Sequence, residues 1–165
     1  MKGGSKLSQL QVRVSKEEKS AIRRAARLAG MDMSAYVLSR VLPPPATAFQ
    51  RAVAALDGPG EPSFALAELN TFLSGLAAPE LQHAVMAAPA ALLPPFLANY
   101  VAAMVETACS IRALPIPAWT RQVAPLPEPA FGSMLPSLRL YLLTHSPAPF
   151  RRRNIFIDSS IGERV

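Results

Sequence analysis

Cysteine is almost missing from this chain: Cys109 stands alone among 165 residues. That excludes an intrachain disulfide framework and a multi-cysteine metal site, and it fits a reducing compartment. Histidine is nearly as scarce. Neither His83 nor His145 has a second ligand at helical spacing, and Glu80 three residues before His83 is a common helix-surface pairing. Asp158, Ser159 and Ser160 would form a triad only if His145 folded onto them. Lacking a convincing base, nucleophile or metal site, the chain is expected not to be an enzyme and to need no cofactor.

Charge is missing from residues 81 to 105, which contain no Asp, Glu, Lys or Arg. A span of about 20 apolar residues can cross a bilayer. Here Pro89, Pro94 and Pro95 divide the stretch, and Gln82, His83 and Asn99 interrupt it. Two buried helices are predicted, with no membrane partner. The opening Met1 to Lys6 has no apolar core and is not read as a signal peptide, so a cytoplasmic location is expected.

Lysine disappears after Lys19, which exposes how unevenly charge is placed. Residues 1–42 hold nine basic and three acidic side chains, hence +6; the remaining 123 hold eight of each and are neutral. Such a basic segment concentrates a polyanion, and each neutralised phosphate releases counterions.

Within that segment Leu10, Val12 and Val14 alternate with Gln9, Gln11 and Arg13, predicting a strand with one apolar and one hydrogen-bonding face. A single such strand is not stable. Ser15 and Glu18 then have capping-box spacing, and a helix is predicted from Lys16 to about Ala29, stopped by Gly30. Asp32 can cap a second helix from Met33 to about Leu42, ended by Pro43-Pro44-Pro45. Strand, helix, turn and helix in some 42 residues are too few to bury their apolar surface alone.

This segment resembles the ribbon-helix-helix family of DNA-binding proteins, the MetJ/Arc/CopG class, and especially Arc-type repressors of phage. The likeness rests on Met1-Lys2-Gly3, Ser5-Lys6, Gln9, Arg13, Gly30 and the Tyr36 to Val41 helix. It implies an intertwined homodimer whose two-stranded antiparallel ribbon enters the major groove of double-stranded DNA. Gln9, Gln11 and Arg13 would then read bases, each good bidentate pair contributing about 1–3 kcal/mol of discrimination. Lys6 and the backbone amides of Met33 and Ser34 would hold phosphate. Leu10, Val12, Val14, Ile22, Val37 and Val41 would form the shared dimer core. Gln11 is longer than the Asn often found at the middle reading position, and Asp32 sets a negative charge beside the phosphate site.

From Ala46 onward Ala, Leu and Pro dominate. Helices are predicted over Ala46 to Leu56, Ser63 to Leu76 with Ser63 as cap, Pro79 to Ala88, Pro95 to Arg112, and Pro136 to Thr144. Residues 113–130 hold five prolines and the sole tryptophan, Trp119, which predicts an extended path packed in a groove supplied by this domain or by a partner. Arg151, Arg152 and Arg153 precede an alternating Ile155-Phe156-Ile157, either a phosphate- or acid-binding arm or a solvated turn before a last strand.

The expected fold is therefore mainly α: a ribbon-helix-helix domain over 1–45, a helical domain over 46–112, and a Pro-rich segment over 113–165. Trp119, Arg151, Arg152, Arg153 and Phe156 are expected to contact a partner. The expected function is a sequence-specific transcriptional repressor that, as many members of the resembled family do, serves as an antitoxin and represses its own operon. Its toxin would be nucleotidyltransferase-like, because the Leu114-to-Trp119 stretch and the closing segment faintly resemble plasmid and prophage proteins encoded beside such toxins. Two alternatives are a ligand-sensing C-terminal domain with a pocket near His83, Asn99 and Tyr100, and a phage or plasmid architectural DNA-binding protein.

Overall fold

The computed structural model describes residues 11–41 and 44–158. The chain divides into two compact units, Met1–Pro43 and Pro44–Val165.

In the first unit α1 (Lys16–Leu28) opens with a complete capping box. The Glu18 amide donates to Ser15 Oγ at 3.1 Å, and the Ser15 amide donates to Glu18 Oε2 at 2.8 Å. Two of the donors that a helix start leaves free are thereby satisfied. The other end closes by the Met31 amide reaching Ala26 O and the Gly30 amide reaching Arg27 O. That pairing needs a left-handed residue, which Gly30 supplies at φ +66°. Asp32 then caps α2 (Met33–Val41) by accepting from the Ala35 amide at 2.9 Å.

Ala26 is the only fully buried residue described in this unit, and Ile22 and Val37 are half-buried. Val12, Val14 and Val41 are exposed at 65%, 43% and 72%. The expected dimer core is thus largely open in one copy of the chain. Residues 11–15 form no strand, while Lys6, Gln9 and Leu10 lie outside the described residues. An antiparallel ladder needs N–H and C=O groups from a neighbouring strand. A symmetric ribbon draws them from a second copy, so one chain cannot display it.

The second unit contains α3 (Pro45–Ala54), α4 (Pro62–Gly75), α5 (Ala78–Val85), α6 (Pro95–Ile111), α7 (Arg139–His145) and α8 (Ala148–Arg151). Three single 3₁₀ turns, Ala55–Asp57, Ala118–Gln122 and Pro136–Leu138, join them. Proline within the first turn starts α3, α4, α5, α6 and α8, where its missing N–H costs no helical bond. For that reason α4 begins at Pro62, with Glu61 at the cap position, and not behind Ser63 as its hydroxyl suggests. Strands β1 (Ala130–Phe131) and β2 (Ile155–Phe156) pair in parallel and are the only strands among the described residues.

Helix α6 is the axis of the core: ten of its residues are buried, among them Val101, Ala102, Val105 and Cys109. Phe49, Leu69, Leu73, Leu81 and Val85 from α3, α4 and α5 belong to the same cluster. The Pro-rich stretch finds its groove here as well. Trp119 is buried in this cluster with Leu114, Ile116, Val123 and Leu126 packed on it, and its Nε1 donates to Val85 O at 2.9 Å. Segments 46–112 and 113–158 therefore build one core together. The mainly α expectation holds, whereas the ribbon is not among the described elements.

Candidate nucleic-acid interface

Helix α1 presents Lys16, Lys19, Arg23, Arg24 and Arg27 to solvent, as the amphipathic pattern requires. Gln11 and Arg13 precede it and are also exposed. At the start of α2 the Asp32 carboxylate takes the third amide, Ala35, which leaves the amides of Met33 and Ser34 without an acceptor among the described residues. Free N–H groups at a helix N-terminus favour an anion, though the Asp32 charge opposes it. Further along α2 the Arg40 guanidinium lies 5.2 Å from the centre of the Tyr36 ring. Seven exposed cations in 30 or so residues, Arg13 and Arg40 with the five of α1, can neutralise several phosphates of a duplex, and the two free amides can add hydrogen bonds to one.

Residues 5–57 match the family model NikA-like, described as mobilization protein NikA. The similarity covers about a third of the chain and takes in α1, α2, α3 and the turn after it. It agrees with a DNA-binding N-terminus of ribbon-helix-helix type. Comparison with curated proteins and with solved structures gives no significant match.

Beyond the NikA-like stretch, the residues expected to meet a partner divide into two groups. Arg151 and Arg152 are exposed, whereas Trp119, Arg153 and Phe156 are buried. Phe156 lies in β2 and stacks on Phe131 with ring centres 5.1 Å apart. Arg153 is a buried residue of the core, which departs from the expectation that it contacts a partner from an arm or lies in a solvated turn. Its Nη2 donates to Glu106 Oε1 at 2.6 Å and to Thr120 O at 2.7 Å; its Nη1 donates to Asn99 Oδ1 at 3.2 Å and Val123 O at 3.3 Å. The guanidinium thus ties the Trp119 turn to α6.

Glu106 and Asn99 were missed as organising residues. The signal was present: Glu106 is the one charged residue between Glu80 and Arg112, and it stands seven positions after Asn99. Seven residues are two helical turns, so both share a face of an otherwise apolar helix and must converge on a buried donor. Of the expected sensor residues, His83 is exposed, whereas Asn99 is buried with its side chain engaged by Pro95 O, Ala124 O and Arg153. Burial pushes the Tyr100 hydroxyl above its ordinary pKa. It also raises the Cys109 thiol, against a smaller lowering by Arg112, which keeps that sulfur protonated and unreactive.

Proposed function

We propose that this chain is a non-catalytic, sequence-specific DNA-binding protein that serves DNA mobilization, marking a transfer site as an accessory of the processing complex. The observation that carries the proposal is the NikA-like match falling on the segment that holds all the net positive charge. In this reading two copies pair through Leu10, Val12, Val14, Ile22, Val37 and Val41. Their ribbon places Gln9, Gln11 and Arg13 against base edges, and Lys6 with the Met33 and Ser34 amides holds backbone phosphate. The exposure of Val12, Val14 and Val41 in a single chain supports such pairing, because apolar side chains along one face favour burial in a partner.

Transcriptional repression and an antitoxin role would use the same DNA-binding unit. The antitoxin reading drew its support from an apolar, Pro-rich tail in search of a toxin. That tail packs into its own core, so mobilization is the better supported use.

The test is a binding titration on duplexes carrying the transfer origin and on random duplexes at fixed salt. Arg13→Ala and Gln11→Ala should each weaken binding to the specific site by about 1–3 kcal/mol while leaving random DNA nearly untouched. Lys19→Ala should weaken both alike and flatten the salt dependence. Equal losses on both duplexes for Arg13→Ala would sink base reading. Copurification of a toxin with the full chain, and no preference for the transfer origin over the chain's own promoter, would return the antitoxin reading.

A further inference from the structure

Arg153 uses four of its five N–H groups on Asn99, Glu106, Thr120 and Val123. Its Nε–H is the one buried side-chain polar atom without a partner among the described residues. An open cleft of about 290 Å³ adjoins this guanidinium. Arg121 and Arg152 line it with Arg153 and Glu106, and Ile116 and Val123 add apolar wall.

The charge balance of this cleft is unlike that of its surroundings. Residues 44–165 are neutral overall, with eight basic and eight acidic side chains. The cleft gathers three guanidinium groups against one carboxylate, and that carboxylate is already engaged by Arg153 at 2.6 Å. Arg152 reaches Glu106 only at 3.5 Å and is largely exposed. Arg121 is exposed and has no acidic partner among the described residues. Two cations lining one cleft with little compensation repel each other, and an anion bound there offsets the repulsion. Planar guanidinium forks match the oxygens of phosphate, and the half-buried Ile116 and Val123 suit an organic body attached to it.

We propose that this cleft is a binding site for a phosphate group, with room for about one nucleotide. Arg121 and Arg152 take the phosphate oxygens. Arg153, immobilised by Glu106 and the three other acceptors, supplies a fixed positive charge. The phosphate can belong to a free metabolite or to a nucleotide of DNA, and the inference does not depend on the N-terminal unit binding DNA.

Isothermal titration of the full chain with inorganic phosphate and with a nucleoside monophosphate, at constant ionic strength, tests it. Saturable binding with Kd on the order of 1 mM or tighter is expected. Arg121→Gln and Arg152→Gln should each weaken it, and the double variant should weaken it about tenfold or more. Both side chains are exposed, so the fold should persist, which the unchanged emission of Trp119 verifies. No saturable heat with either probe, or equal affinity in the double variant, would overturn the proposal. A duplex and a single-stranded oligonucleotide then separate the sources. Displacement of the nucleotide by DNA, with loss of DNA affinity in the double variant, identifies a DNA phosphate. A nucleotide that stays bound beside DNA, with DNA affinity unchanged, identifies a free phosphorylated molecule.

Discussion

Replacing Glu106 should destabilise the C-terminal unit more than any surface substitution, and the size of the loss follows from the surroundings of the ion pair. The side chains of Arg153 and Glu106 are 6% and 7% exposed, so neither charge is rescued by water. Removing one partner of a buried pair costs about 3–5 kcal/mol, because the remaining charge keeps its desolvation penalty. Arginine cannot escape by losing its proton. Glu106→Ala removes both charge and acceptor and should lie in that range. Glu106→Gln keeps an acceptor for Nη2 and should cost less, about 2–3 kcal/mol. Arg152, 64% exposed and 3.5 Å from Glu106, is the control: Arg152→Ala should change stability by less than about 1 kcal/mol. Pairing Glu106→Leu with Arg153→Met removes both charges but strips a donor from Asn99 Oδ1, Thr120 O and Val123 O. The double variant should remain destabilised, yet by less than the sum of the single losses, with a coupling of about 1–3 kcal/mol. Urea unfolding followed by Trp119 emission reports this unit, since that residue is the sole tryptophan and lies beside the clamp. With a slope of about 2 kcal/mol/M, the Glu106→Ala midpoint should fall by roughly 1.5–2.5 M. Strict additivity, or a Glu106→Ala loss below about 1 kcal/mol, would refute the clamp.

Three further outcomes are expected. Trp119→Phe keeps most of the apolar contact but leaves Val85 O without its donor, so unfolding should show a loss of about 1–3 kcal/mol. Ala113 holds a left-handed conformation, φ 52°, where α6 closes by the Leu114 amide reaching Cys109 O. Ala113→Gly should therefore raise stability by about 0.5–1 kcal/mol, read as a higher thermal midpoint, and a lower midpoint would show that the neighbours and not the dihedral set this turn. Burial raises the folded pKa of Cys109 above 9.0 and that of Tyr100 above 10.0. Both groups bind protons more firmly when folded, so their contribution is full below pH 9 and is lost as pH rises through the folded values. Stability of this unit should accordingly decline above pH 9, with Cys109 alkylation slow until it does; rapid alkylation at neutral pH would contradict the burial.

How much of this was legible in the sequence depended on how local the deciding interaction is. Ser15 with Glu18, Asp32 with Ala35, and Gly30 act within a few residues, so the two N-terminal helices could be bounded to within one or two positions. Proline at first turns likewise marked the start of α6. Where two local signals competed at α4, Pro62 prevailed over the Ser63 hydroxyl. Long-range pairing left weaker traces. Arg153 and Glu106 are 47 positions apart, and a run of three arginines looks like solvated surface unless the isolated carboxylate in an apolar helix is asked for its partner. Proline density in 113–130 hid the Ala118–Gln122 turn that inserts Trp119 into the core. The strand expected to end at Val14 lies partly outside the described residues, and residues 11–14 form none; in the proposed dimer its hydrogen-bond partners belong to another molecule.

That last difference separates what each unit can do alone. The Pro44–Val165 unit closes its core within one chain, around α6, and is electrically neutral. The Met1–Pro43 unit holds the whole net charge of +6 yet buries only Ala26 among its described residues, so its stability and its charge density both favour what a second copy and a polyanion would supply. In the proposed function DNA recognition is therefore a property of the pair: the strand that carries Gln9, Gln11 and Arg13 has no ladder to hold it in register until the second chain arrives. Among the described residues of the second unit, the cleft of Arg121, Arg152 and Arg153 gathers positive charge that its own single carboxylate, Glu106, does not balance, a balance that the proposed phosphate would supply.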